Sequence, residues 1–270
     1  MSLPEFRAQA MRIVPAKNGW FWVLRGFALF RQSPVMWLFL VFTYWVAVAF
    51  LGQIRYLGLA TSTVLLPAFS VSFMVMCAVL ERGEMLRPAL LFSGFRNELP
   101  TLIVLGVLYL LSIVAVLGIA SLADAGVLLR WVLSGEPPPK EALLDGSLLR
   151  AMMIAPLAAV PILMAFWFAP VLAAWNRMGA LQALFYSFFA VWRNWRAFFV
   201  YAALVLTAVF LGTGAAATTT GGEIQTLRFL SLILTLLALP TVFASFYASY
   251  RDIFPPDPVP ADPPSNATGT

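Results

Sequence analysis

The sequence predicts an all-α transmembrane protein: six membrane-spanning helices in three parallel pseudo-repeats, each preceded by a cytoplasmic interfacial amphipathic helix. Three observations predict it. First, 61% of the 270 residues are hydrophobic, 11% are charged, and the mean hydropathy is +0.88. A soluble domain carries roughly 25% charged residues, so this chain has too little polar surface to cover a fold in water. Second, six apolar runs are each long enough, or nearly so, to cross about 30 Å of hydrocarbon as a helix. Third, the phrase Phe-x-x-aromatic-Arg-amide occurs three times: Phe27 to Gln32, Phe92 to Asn97 and Phe189 to Asn194.

In chain order, residues 1–18 form an N-terminal cytoplasmic segment. Arg7, Arg12 and Lys17 precede any long apolar run and no Ala-x-Ala site follows the first one, so this is no cleavable signal. The membrane domain covers 19–250, with repeats over about 19–80, 83–175 and 179–250. The predicted spans are 35–52, 57–80, 99–123, 151–175, 197–217 and 229–250, and none contains Asp, Glu, Lys or Arg. Because the runs are continuous and not alternating, they read as helices and not as barrel strands.

Before each Arg-amide corner lies a half-polar stretch: 19–32, 83–97 and 179–194. Asn18, Arg25 and Gln32 share one face of the first; Gln182, Tyr186 and Arg193 share one face of the third. Such helices lie in the headgroup plane, apolar face down. Two spans return the chain to its starting side, so all three units point the same way, as parallel repeats do. The second span of each unit carries a proline: Pro67, Pro161 and Pro240, with Pro156 and Pro170 added in the middle unit. Proline removes a backbone donor, so kinks are expected, with Ser70, Ser72 and Ser245 as candidate partners for freed carbonyls. Two alanine ladders in the fourth span, Ala151/Ala155/Ala159 and Ala165/Ala169/Ala173, fit close helix packing inside the bundle.

The connection 124–150 is the largest external piece: a short amphipathic helix over 125–133, a stop at Pro137-Pro138-Pro139, and a helical restart over 140–149. Residues 251–270 form a Pro/Asp-rich tail expected to be disordered. Twelve Lys and Arg residues lie on the terminal side of the spans and five on the other (Arg55, Arg130, Lys140, Arg150, Arg228). The positive-inside rule therefore places both termini in the cytoplasm. Arginine outnumbers lysine 15 to 2, which with the Ala/Leu/Pro richness fits a GC-rich bacterial coding sequence.

Several chemistries are excluded or disfavoured. There is no histidine and one cysteine, Cys77, so neither an internal disulfide nor a Cys/His metal site can form. Cys77 reads as a buried inert thiol. Spans without ionisable groups disfavour proton- or ion-coupled pumping. No phosphate loop, metal helix or nucleophile elbow occurs. Glu81, Glu84 and Glu98 read as a salt-bridged loop with Arg82, Arg87 and Arg96. Basic residues at span ends are orientation signals and not a nucleic-acid footprint. The candidate lipid-headgroup or anchoring residues are Arg31, Gln32, Arg96, Asn97, Arg193 and Asn194, with membrane lipids, anionic ones in particular, as partners. No catalytic, cofactor or metal residues are expected.

The string Ile13-Val14-Pro15-Ala16-Lys17-Asn18-Gly19, followed by Trp22, Gly26, Phe27, Leu29-Phe30-Arg31 and Pro34, resembles a family of multi-pass inner-membrane proteins. These are mostly betaproteobacterial and labelled by locus tag. The resemblance covers 11–250 and implies a bacterial inner-membrane location and a start at Met11. The repeated corners also resemble, more distantly, the six-span membrane domains found beside glycerophosphodiesterases; no catalytic residues come with that likeness. Mitochondrial carriers are excluded: their amphipathic helix lies between the two spans of a repeat, and their Pro-x-acidic signature is missing here. The expected role is non-catalytic, in envelope or lipid organisation; the alternative is a passive permease or exporter component for a lipophilic or lipid-like solute.

Overall fold

The computed structural model describes residues 11–53, 58–96, 98–134, 137–219 and 223–255. Asn97 and the tail beyond Pro255 lie outside them. Among the described residues, six helices are long and apolar enough to span a membrane: Pro34–Gly52, Ala60–Glu81, Leu99–Asp124, Ser147–Asn176, Trp195–Thr218 and Gln225–Ile253. Among the described residues there is no strand. The helices are α1 (Asn18–Gln32), α2 (Pro34–Gly52), α3 (Gly58–Glu81), α4 (Leu99–Asp124), α5 (Val127–Ser134), α6 (Lys140–Leu144), α7 (Ser147–Trp167), α8 (Ala169–Asn176), α9 (Ala180–Arg193), α10 (Trp195–Thr219) and α11 (Ile224–Ile253). A 3₁₀ helix, Pro88–Phe95, precedes α4.

Local sequence explains most boundaries. Proline sits in the first turn of α2, α4 and α8, where its missing N–H costs nothing. Asp124 closes α4 and opens α5: its carboxylate accepts the N–H groups of Gly126 (3.0 Å) and Leu128 (2.6 Å). The connection after α4 forms two short helices on either side of the prolines, but the second stops at Leu144 instead of running to 149, because the chain turns at Gly146 (φ +71°) before α7. The connection packs as a small cluster that includes Ala120, Leu128, Ala142, Leu148 and Ala151.

The second half-polar stretch differs from its expectation. The chain turns at Gly83 (φ +75°), residues 84–87 carry no helix, and the 3₁₀ helix begins at Pro88. Arg87 is extended (φ −126°, ψ 145°), as the residue before a proline prefers. One long amphipathic helix over 83–97 is therefore not formed. α1 and α9 do form, and α1 leaves Trp20, Phe21, Leu24 and Phe27 exposed.

α3 is the hub: 61% of its most apolar window is buried, against 11% to 33% for the other spans. Its Phe73 stacks on Phe243 of α11 (4.1 Å between centroids) and on Trp37 of α2 (6.2 Å). Close approach is set by glycines, Gly26 and Gly94 among them. A Cβ on Gly26 of α1 would lie 2.6 Å from the Ser245 nitrogen and the Thr241 oxygen of α11. A Cβ on Gly94 would lie 1.9 Å from the Ala68 oxygen of α3, and Gly94 N–H donates to Ser72 Oγ at 2.9 Å.

The prolines act unevenly. α3, α7 and α11 continue through Pro67, Pro156, Pro161 and Pro240. The fourth span is interrupted instead at Phe168, two residues before Pro170. There Ser187 of α9 enters the helical ladder: its Oγ accepts the Phe168 N–H (2.8 Å) and donates to the Met164 carbonyl (2.9 Å). Pro67, Pro170 and Pro240 are buried, whereas Pro161 is exposed. In the fourth span it is thus Pro170, not Pro161, that is buried.

Candidate functional site: the polar end of the bundle

α1, the 3₁₀ helix and α9 each end where an odd-numbered span begins, so they share one end of the bundle with both ends of the described chain. The helices also run past the apolar stretches that the sequence marks. Glu81, Arg251 and Asp252 therefore belong to α3 and α11 and meet there, a correction to the picture of spans flanked by separate charged loops. Tyr247 donates a short hydrogen bond to Glu81, and Arg251 Nε lies 3.3 Å from Glu81 Oε2. Asp252 Oδ2 accepts from Asn18 Nδ2 (2.7 Å) and Trp22 Nε1 (2.8 Å). Tyr250 donates to Asn176 Oδ1 at 3.4 Å. The ends of spans two and four are thus tied to span six, and span six to α1, by side chains that local sequence reading passed over. The Arg251–Glu81 pair is 36% and 46% exposed, so it contributes at most about 1 kcal/mol. The carboxylate hydrogen bond from the fully buried Trp22 is worth more, about 1.5–3 kcal/mol.

The expected loop of salt bridges is formed only in part. Arg82 pairs with Glu84 (2.7 Å), but Glu81 turns to α11 instead of to its own loop. Cys77 is a buried free thiol. Among the described residues no group of three or more His, Cys, Asp or Glu side chains could hold a metal ion.

The corner residues divide into two kinds. Arg31, Gln32, Arg96 and Arg193 are exposed, and among the described residues none of the three arginines pairs with a carboxylate. Arg31 sits over the Phe27 ring at 5.9 Å. Asn194 is different: it is 2% exposed. Its Oδ1 accepts the Val14 N–H (2.8 Å), and its Nδ2 donates to the carbonyls of Arg12 (3.1 Å) and Ala190 (2.9 Å). Both amide hydrogens are used, so none is left for a headgroup; Asn194 pins the N-terminal segment to α9.

Cavities lie in the spanning region. One of about 250 Å³ lies among spans two, three, four and six, lined by Pro67, Ser70, Tyr109, Trp167, Pro170 and Phe243 among others. Ser70 thus faces this cavity, while Ser72 and Ser245 bond across to Gly94 and Tyr201. A second, of about 470 Å³, opens between α10 and α11.

The chain is 34% identical over 253 residues to a protein of Burkholderia thailandensis whose name reads "Probable inner membrane protein"; the match takes in 89% of this chain and 92% of the relative. No protein-family model matches the chain. No solved structure matches it either.

Proposed function

The chain belongs to the family of inner membrane proteins that includes the Burkholderia thailandensis relative, and from that premise we propose that it is a non-catalytic organiser of envelope lipid, with both termini in the cytoplasm. Three parallel units present Arg31, Arg96 and Arg193 to anionic headgroups of the inner leaflet. The observation that carries this reading is that the three arginines close three elements at one end of the bundle, exposed and unpaired with carboxylates among the described residues. A guanidinium at headgroup depth meets phosphate oxygens with matching fork geometry.

Cyclic packing supports the three-unit reading. The short helix of each unit lies on the second span of the unit before it: the 3₁₀ helix on α3, α9 on α7 and α8, and α1 on α11. Gly94 abuts Ala68 and Ser72, and Gly26 abuts Thr241 and Ser245, which are the same offsets from Pro67 and Pro240. The third contact departs from this register, because there the serine is on the short helix.

Native mass spectrometry of the purified protein tests the lipid role. The variant carrying Arg31→Gln, Arg96→Gln and Arg193→Gln should co-purify with less anionic lipid than the parent; equal retention refutes it. Alkaline-phosphatase fusions at Leu144 should be active and those at Gly94 inactive, and the reverse pattern overturns the orientation.

A second reading, a passive path for a lipophilic solute, is favoured by one observation. The central cavity is lined by Trp167, whose indole N–H is buried without a hydrogen-bond partner among the described residues and offers a polar handle in a mostly apolar chamber. A Ser70→Phe variant that fills the chamber should then abolish solute efflux from loaded vesicles.

A further inference from the structure

The three corners are not equal in charge. After Arg31 come Gln32, Ser33 and Pro34; after Arg96 and Asn97 comes the exposed acid Glu98; after Arg193 and Asn194 come Trp195 and a second arginine, Arg196. Only the third corner is doubly cationic.

It is also where a cavity of about 290 Å³ opens, between residues 13–16 and the junction of α9 with α10. Ile13, Val14, Arg193, Asn194, Trp195 and Arg196 are among its walls, and among the described residues no carboxylate lines it. The wall formed by the N-terminal segment is held in place, because buried Asn194 bonds Val14 N–H and Arg12 C=O at once. Arg196 sits over the Trp195 ring at 5.6 Å. Trp192 and Trp195 are more than half exposed, at the point where an apolar span begins. Exposed indoles at such a position sit at headgroup depth.

Resting on the reading that the corner arginines face phospholipid, we propose that this cavity binds a single anionic phospholipid, its phosphodiester held between Arg193 and Arg196 and its chains against Trp192 and Trp195. Two exposed guanidinium charges with no carboxylate beside them among the described residues select an anion. The flanking indoles select one that carries acyl chains, which distinguishes a lipid from free phosphate.

The test is native mass spectrometry of the full chain in detergent, titrated with phosphatidylglycerol or phosphatidylcholine. The parent should retain one phosphatidylglycerol and discriminate against phosphatidylcholine. R193Q/R196Q should weaken that retention at least about tenfold, while R150Q, at an exposed arginine outside the three corners, should leave it unchanged. R196Q alone, at an exposed side chain, gives the same reading with little demand on folding and should also weaken retention. If R193Q/R196Q and the parent hold the lipid equally while the parent still prefers phosphatidylglycerol, this site is wrong and the broader lipid reading stands. A parent without preference overturns both. Displacement of the lipid by inorganic phosphate would overturn the assignment to phospholipid.

Discussion

Ser187→Ala should be among the most damaging conservative changes in the molecule. Ser187 is fully buried and its hydroxyl bridges the gap in the fourth span, taking the Phe168 N–H and giving its proton to Met164 C=O. Alanine leaves one donor and one acceptor unpaired in an apolar interior, at about 1–3 kcal/mol each, so the change should cost roughly 2–6 kcal/mol. Ser72→Ala is the internal comparison. Ser72 is equally buried and accepts the Gly94 N–H. The carbonyl to which it donates, Ala68, lies inside continuous α3 and retains its helical N–H partner. One group is orphaned and not two, so the cost should be about half. Cys77, the single cysteine and fully buried, supplies the assay: a thiol-reactive dye in detergent reports unfolding as the thiol emerges. At roughly 2–4 °C per kcal/mol, Ser187→Ala should lower Tm by at least about 4 °C. If Ser187→Ala melts with the parent, or Ser72→Ala costs as much, the bridged break does not hold the fourth span in shape.

Three further substitutions test other parts of the fold. Asp145 holds the first turn of α7 through the Ser147 N–H (2.7 Å). That N–H and the Ser147 hydroxyl hold its carboxyl below the ordinary value of 3.8. A depressed carboxylate contributes stability above its unfolded value and loses it as pH falls through the folded one; the gap in Tm between the parent and Asp145→Asn should therefore be present at neutral pH and close below about pH 4. A constant gap would mean that the charge is irrelevant. Gly26→Ala places a methyl 2.6 Å from backbone atoms of α11 and should destabilise by about 1–3 kcal/mol. Gly118→Ala, in helical α4 with open space around it, should stabilise by about 0.5–1 kcal/mol; equal melting of the two variants would refute the close α1–α11 contact.

Local sequence carried the spans because hydropathy is additive along the chain. It carried the helices of the connection after α4 because Pro137, Pro138 and Pro139 punctuate on their own. It failed at 83–97, where amphipathic spacing argued for one helix. Gly83 and Pro88 outweighed that spacing through backbone geometry, leaving an extended piece and a 3₁₀ turn. At the candidate site, the exposed arginines were legible because charge at a span end is a composition signal. Asn194 was legible as a residue but not as a clamp, since its partners Arg12 and Val14 are about 180 residues away.

By itself, then, the sequence determined that the protein lies in a bilayer as six helices, because burying charge in hydrocarbon is costly wherever the helices pack. Tertiary structure alone decided that α3 is the hub, that the fourth span breaks at Phe168 and not at Pro161, and that Glu81 answers to Tyr247 and Arg251. Each of these depends on a partner brought near by packing. A proline announces a missing hydrogen bond, but only the neighbouring helix decides whether a serine arrives to complete the ladder.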